Sequence, residues 1–418
     1  MANSFVFTDW VAPECLRLLE NMLELASLAN TDHRGEFEKD FAIGDTTRIK
    51  FPQEWLVTDG MEFNSQAIAR QYTTATMDNW LQIGFEWDSL EKALKMERSK
   101  SEISEQYLKP AMAQMAQEME LRFVKYAILN TNNVVGALGT TPTAWSTYAA
   151  ARTRLVENAG WGASPKRGMG VSPQMMETMI SNSLTQFNPT DAISSQYKQG
   201  SVGKAAGFDW YETMAYLPFT TGIIATQASV TVKGANQSGS QITLNCTTGD
   251  TFKQGDRINL AAVNNVNPRT RQSTGRLKQF VVTQAATGAS SAVTLNIYPS
   301  IVGPGSPYQN VDALPADTAA VTFWPGTTIT NAAAKKGILG LALNKLAFAM
   351  IGAELPNPKQ GGSIEVSAQK TDDNTGLSIA LISAFDPVLR RWINRFDALI
   401  GFGTLYADRC SVVVGSLA

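Results

Sequence analysis

The sequence predicts an α+β protein interrupted by an inserted all-β barrel module. Three observations predict it. One strong run of helical periodicity lies near residues 100–130, among strand-like stretches. From about Ile223 to Thr328 helical signals vanish and six short strands follow one another. Mixed patterning then resumes, so the chain leaves one domain and returns to it. At 418 residues the chain is too long for one compact core and points to two or three units.

In order along the chain, a short extended piece precedes a helix expected from about Pro13 to Ala29. Leu16, Leu19, Leu23 and Ala26 recur there at three- and four-residue steps, and Pro13 suits a first turn. Residues 1–50 hold nine acids against five bases, so this arm is acidic. DTTRIKFPQEW and YTTATMDNWLQIGFEWD are rich in β-branched and aromatic residues. They flank a polar, Gly-containing tip and read as a long hairpin-like loop.

SEISEQYLKPAMAQMAQEMELRFVKYAILN is the strongest helical signal. Ser101 and Ser104 are candidate caps, and Pro110 is expected to bend the helix or divide it from a shorter one. Met112, Met115, Met119, Phe123 and Tyr126 form one apolar face, read as packing on a sheet in preference to an adaptable binding face. TAWSTYAAARTRLVENAGW reads as a helix closed by Gly160. KRGMGVSPQMMETMISNSL reads as a strand, a turn at Pro173 and a helix. AGFDWYETMAYLPF reads as a strand.

VTVKGA, QITLNCT, DRINLAAV, RLKQFVVTQ, AVTLNIYPS and AAVTFWPG are the six strands of the β module. A helix is expected at NAAAKKGILGLALNKLAFAMIG, Asn331–Gly352. SIEVSAQ, LSIALISAFDP, RWINRFDALIGFGTLY and CSVVVG then read as strands.

The search for chemistry is mostly negative. The lone histidine, His33, reads as a solvated loop residue and cannot build a His-rich metal site. No nucleophile elbow, H-E-x-x-H or phosphate loop occurs. Asp372–Asp373 reads as a polar turn, and nothing supports a glycosidase pair or Mg²⁺ site there or at Glu36/Glu38. No catalytic, cofactor or metal site is expected. Cys15, Cys246 and Cys410 are far apart in sequence and read as free thiols. Neither a signal peptide nor an 18-residue apolar stretch occurs, so no membrane role is expected. The charged share, 17%, is below the roughly one quarter usual for globular proteins, which fits a surface buried against other copies as well as a merely polar one. A net charge of −2 lacks the global basic excess of a phosphate-neutralising protein. One basic run stands out, with Arg269, Arg271, Arg276 and Lys278. It reads first as an arm that pairs with acids on a neighbouring subunit, then as a solvated loop, and last as a nucleic-acid contact, since no aromatic residue precedes Phe280 for base stacking.

AGFDWYETMAYLPFTTG, TTGDTFKQGDRINLAAV and RLKQFVVTQ are similar to stretches of the coat proteins of lambdoid short-tailed Salmonella phages (Lederbergvirus type). GVSPQMMETM sits where that family has an aromatic-Asn-Pro-Gln turn. The order of parts also resembles that family, a variant of the Hong Kong 97 phage capsid fold with an inserted β-barrel. The resemblance implies a major capsid protein and no enzyme. It divides the chain into an N-arm (1–44), an extended E-loop region (45–88), a spine helix with peripheral domain (89–134) and a first axial part (135–222). The inserted β-barrel (223–328), a second axial part (329–395) and strands returning to the peripheral domain (396–418) complete it.

The implied partners are copies of the chain as pentamers and hexamers, a scaffolding protein, a portal protein at one vertex and packaged double-stranded DNA held without specificity. The implied place is a virion capsid assembled in the host bacterial cytoplasm. Trp55, Asp59 and Glu62 of the E-loop would join the basic run in inter-subunit contacts, and Glu14, Glu20 and Glu24 would dock a basic scaffold helix. The stretch Lys233–Ser240 is much shorter than the matching loop of those relatives, so the bridge expected there moves to the basic loop Asn267–Lys278. Nothing in the sequence marks the Lys–Asn–Glu trio with which the fold's type member welds its subunits. Two other readings are weaker. An encapsulin-like compartment is disfavoured by the inserted module. A β-module carbohydrate-binding or hydrolytic protein lacks a signal peptide and an acid pair.

Overall fold

The computed structural model describes residues 5–31, 46–55, 57, 60–61, 65–68, 71–88, 104–158, 167–186, 204–215, 217–225, 229–324, 336–355, 364–372, 376–388 and 391–415. The chain forms two compact units. One comprises Met1–Phe51, Tyr72–Phe123 and Phe348–Thr404; the other comprises Pro52–Gln71, Val124–Ala347 and Leu405–Ala418. Helices and strands are numbered in chain order over the whole chain.

The first unit centres on β20 (Arg391–Thr404), a strand of 14 residues. Along one side it pairs antiparallel with β2 (Tyr72–Asp88), which pairs in turn with β1 (Thr46–Lys50). Along the other side it pairs first with β19 (Ser378–Asp386) and then with β17 (Phe348–Ala353); β18 (Ile364–Thr371) closes that edge. Gly401 and Gly403 allow this crowding. A Cβ at Gly401 would lie 2.6 Å from the Thr76 carbonyl oxygen, and one at Gly403 would lie 2.8 Å from Ala75 Cβ. The hairpin β1–β2 matches the expected excursion. Helix α1 (Phe5–Met22) packs against β18 and β19.

Here two expectations fail. The start of the chain is helical from Phe5, not extended, and Pro13 lies inside α1 rather than in its first turn. The lost amide donor and the ring's clash with the preceding turn are offset by burying Val11, Ala12, Cys15, Leu16 and Leu19. The helix stops at Met22, and a 3₁₀ turn (Ala26–Leu28) follows. That turn is held by a buried carboxylate. Glu120, on helix α2 (Lys109–Asn130), accepts the amides of Leu25 (2.8 Å) and Ala26 (3.1 Å). Burial raises the Glu120 pKa, and the Ala26 and Leu25 amides pull it back. Pro110 stands in the first turn of α2, behind a π turn (Ser104–Leu108), as a divider should. The Met112, Met115, Met119 and Phe123 face is buried, so it packs rather than binds. Ser101 lies outside the described residues.

Among the described residues, the second unit holds a mixed sheet, the sheet of the β module, a two-stranded ribbon, the end of α2 and two further helices. The mixed sheet runs β3 (Val134–Gly136), β21 (Ser411–Gly415), β16 (Lys336–Asn344), β4 (Arg167–Val171), β6 (Phe208–Glu212) and β5 (Lys204–Ala205), with β7 (Leu217–Thr220) also on β16. Helices α3 (Trp145–Glu157) and α4 (Pro173–Gln186) pack on it through Tyr148, Ala151, Leu155, Met175, Met176 and Met179. Both match the expected helices, with Pro173 as first residue; Gly160 lies outside the described residues.

The expected helix Asn331–Gly352 is wrong. Its described part is β16, a turn, and β17. β16 is paired on both edges and buried on both faces, so KGILGLALN shows no alternation. A continuous apolar run cannot be told from a buried helix by its period. Gly340 was the overlooked sign: a Cβ there would lie 2.9 Å from the Gly170 carbonyl oxygen.

The six expected strands of the β module form one sheet. Its order is β15 (Val321–Trp324), β11 (Arg257–Val266), β12 (Ser273–Val282), β14 (Ala292–Ile301), β9 (Gly239–Asn245) and β8 (Thr231–Val232). A two-stranded ribbon, β10 (Thr251–Phe252) with β13 (Ala286–Thr287), accompanies it. The core is its own: Val232, Ile242, Leu244, Phe252, Ile258, Phe280, Leu295 and Phe323 pack together with neighbours drawn only from residues 224–323.

Candidate functional site

The β module is fastened to its unit by a buried joint. α2 ends at Asn130, and its last carbonyls need donors. Arg257, at the start of β11 and buried, supplies them. Its Nη2 donates to Ile128 O (2.6 Å), its Nε to Thr131 O (3.2 Å) and its Nη1 to Gly255 O (2.7 Å). A cation at a helix C-terminus also meets the negative end of the helix dipole. Burial pushes the guanidinium down to about 10, against the pull of Asp256. Burial pushes the neighbouring Asp256 carboxyl up to about 6, against the amides of Lys253 and Gly222 and the charges of Arg257 and Lys253.

Asp256 also pins the segment leading into the module. It accepts the amides of Gly222 (3.1 Å) and Lys253 (2.8 Å), while Asp250 accepts those of Ala225 (2.8 Å) and Thr247 (2.9 Å). Gly222 has to be glycine, because a Cβ there would lie 2.9 Å from Asp256 Oδ2 and strike the Thr251 carbonyl. On β12, Gln279 mimics a strand partner for β3. Its Oε1 accepts the Val134 amide (2.8 Å) and its Nε2 donates to Val134 O (3.2 Å). None of these residues was singled out in sequence. The one available sign was the Asp256–Arg257 pair opening an otherwise apolar strand.

The predicted basic run is split by its strand. Lys278 is not at the surface. Its ammonium is buried, donates to Asn265 Oδ1 (3.0 Å) and lies 3.3 Å from Asp408 Oδ1. Arg276 pairs with Glu157 of α3 at 3.3 Å. Arg271 donates to Ser306 O (2.8 Å) with a left-handed φ of 59°. Arg269 is exposed, at the tip that Asn267 closes by accepting the amides of Arg269 and Thr270. Arg271, Arg409 and Arg269 also act on Glu54, in the segment after β1, although burial outweighs them and leaves that carboxyl raised.

In that segment Trp55 is exposed, at 56%, with Val57 at 95%, Met61 at 107% and Ile68 at 73%. Asp59 and Glu62 lie outside the described residues. On α1, Glu14 is paired with Arg17 (2.7 Å) and Glu20 is half-buried, while Glu24, just past its end, is exposed.

A family model described as P22 coat protein, gene protein 5, matches residues 14–403. The chain belongs to the P22 coat protein family. It is thus a major coat protein of a tailed phage, and its α+β body with an inserted β module is a Hong Kong 97-type capsid fold. No curated protein matches this coat protein in sequence.

Among solved structures it is similar to one from Mycobacterium phage Che8, at 10% identity and a TM-score of 0.47, covering 94% of this chain and 90% of that one. It is also similar to the capsid structure of Cyanophage P-SCSP1u, at 11% identity and 0.38, covering 90% and 84%. The CUS-3 coat protein I-domain matches at 28% identity and 0.19, covering 24% of this chain and 99% of that one.

In the coat protein, the stretch Lys233–Ser240 bends and runs into β9, braced by the Gln237 side chain and by Asp317, which accepts the Gly234 amide (2.7 Å). Gln237 donates to Lys233 O (2.8 Å) and Thr243 O (2.9 Å) and accepts the Thr243 amide (2.7 Å). The three cysteines are buried and free. Among the described residues, no group of three or more His, Cys, Asp or Glu could hold a metal, and no helix is long and apolar enough to cross a membrane.

Proposed function

We propose that this coat protein assembles as pentamers and hexamers into an icosahedral shell around packaged double-stranded DNA, through a scaffold-assisted procapsid with a portal at one vertex. Its role is structural rather than catalytic, and assembly takes place in the host cytoplasm. The observation that carries this reading, beside the family, is the apolar surface of the segment after β1. Four large apolar side chains exposed within about 14 residues are unusual for a soluble monomer and mark a surface that a second copy covers. A shell needs many repeated contacts of modest area, and an extended loop widens the contact without enlarging the core.

In this reading Trp55, Asp59 and Glu62 reach a neighbouring subunit, and Arg269, Arg271 and Arg276 add charge at the capsomer boundary. Lys278 drops out of that set because it is committed inside its own chain. Glu14, Glu20 and Glu24 of the acidic α1 region offer a docking face for a basic scaffold helix.

Negative-stain microscopy of the chain expressed with and without its scaffold tests the proposal. Closed particles of uniform size support it, and a clean monomer under both conditions sinks it. Charge reversal at Glu20 and Glu24 is expected to abolish scaffold-assisted assembly; normal particles from that variant would remove the scaffold assignment alone.

A further inference from the structure

The surroundings of Lys278 contain the parts of a chemical reaction as well as an ion pair. Asn264 pairs with Leu277 in the β11–β12 ladder. Asn265 and Lys278 are each one residue further along, at a place where the ladder shifts register, and both side chains turn inward. Both are 2% exposed. The Nζ of Lys278 is 3.0 Å from the side-chain carbonyl oxygen of Asn265, and a carboxylate oxygen of Asp408 is 3.3 Å from the same Nζ. A nucleophile, an amide carbon and a proton acceptor thus share one site that bulk water barely enters, which is the arrangement in which proximity and desolvation favour acyl transfer. Asp408, by contrast, keeps 27% of its side chain exposed and gives the site an outlet.

The geometry points to an intramolecular isopeptide bond between Lys278 and Asn265, formed by the folded chain itself. The Asp408 carboxylate takes a proton from the Lys278 ammonium. The freed Nζ lone pair attacks Cγ of Asn265, and the Nζ–Cγ bond forms. The Cγ–Nδ2 bond breaks, and Nδ2 leaves with the protons shed by Nζ and returned by Asp408, as one ammonium ion. No oxidant, reductant or cofactor is needed, and Asp408 ends as it began. Asp408 is held for this by Asn132, whose Nδ2 donates to its Oδ1, while Asn133 donates to its backbone carbonyl (2.7 Å). The product is a covalent rung across the hairpin whose tip carries Arg269 and Arg271.

Intact mass of the purified, denatured full-length protein tests this directly, because an isopeptide bond survives denaturation. The expected wild type is lighter than its sequence by one ammonia. Its tryptic map lacks cleavage after Lys278 and joins the peptide containing Asn265 to the one containing Lys278. Lys278→Met and Asn265→Ala are each expected to restore the full mass. Wild type with full sequence mass and normal cleavage at Lys278, or with its ammonia loss mapped to another asparagine, overturns the proposal. Asp408→Asn, checked as folded by circular dichroism, is expected to keep its ammonia; a cross-link at wild-type yield in that variant overturns the role given to Asp408.

Discussion

Two regions of the second unit treat their side chains in opposite ways. Where the β module is joined, every strong group is committed within the chain: Arg257 to helix carbonyls, Asp256 and Asp250 to amides, Gln279 to a strand backbone. In the segment after β1, Trp55, Val57, Met61 and Ile68 are large, apolar and exposed. Under the proposed function, the difference separates what holds one subunit together from what is left for its neighbours. Burial of charge tolerates no loose partner, so the joint is rigid. An exposed apolar strip leaves favourable burial unrealised until another surface covers it. A shell subunit needs both kinds of region, because the module must not detach while inter-subunit contacts form and re-form.

Four measurements would break or sharpen that contrast. The largest effect is expected from Arg257→Ala, which leaves the Ile128, Thr131 and Gly255 carbonyls buried without their donor and the Asp256 carboxylate without its neighbouring cation. Removing one partner of a buried pair costs about 3–5 kcal/mol, readable as a fall in the urea midpoint. A loss below about 1 kcal/mol would mean that the joint does not hold the module.

The pH dependence of stability comes next. The Asp256 carboxyl titrates at about 6 in the folded protein against an ordinary 3.8. The folded state therefore binds its proton more tightly than the unfolded chain does. That contribution is fully present below about pH 4 and is lost as pH rises through 6. At about 1.4 kcal/mol per pH unit it amounts to about 3 kcal/mol across the window. Asp256→Asn is expected to flatten this fall in denaturation midpoints measured from pH 4 to 7, and an unchanged slope would assign it to other groups.

A smaller loss is expected from Gly222→Ala. The added methyl meets the Thr251 carbonyl and Asp256, and such overpacking typically costs about 1–3 kcal/mol; the melting temperature checks it. Last, Trp55→Ser with Met61→Ser is expected to leave monomer stability within about 0.5 kcal/mol while sharply reducing particle yield by sedimentation. A destabilised monomer would show that the strip is already packed within its own chain.

Much of the fold was legible, for an identifiable reason. The β module is half-buried antiparallel sheet, and half-buried strands write alternation into the sequence: β14 reads AVTLNIYPSI with Val293, Leu295, Ile297 and Ile301 inward. Strand β16 gives no such signal because it is buried on both faces, so KGILGLALN reads as helix. Pro13 marked a helix but not its start, because packing of α1 against β18 and β19 outweighed the proline's preference.

The candidate site was less legible. Arg269, Arg271, Arg276 and Lys278 look alike as a basic run, but the first two precede β12, and of the two within it only Lys278 is buried. Lys278 faces inward toward Asp408, 130 positions away, while Arg269 stands exposed at the tip.

By itself, then, the sequence determined the parts and their order: an acidic helical arm, a long hairpin, one dominant helix and a six-stranded module inserted into a domain that resumes after it. Those features rest on local periodicity and turn chemistry, which any window of a dozen residues carries. Only the tertiary structure decided which charges are buried and with whom. Arg257 meets carbonyls 126 and 129 positions away, and Lys278 meets a carboxylate from the far end of the chain. Such pairings depend on which faces the folded chain brings together, and no local pattern encodes a partner that distant.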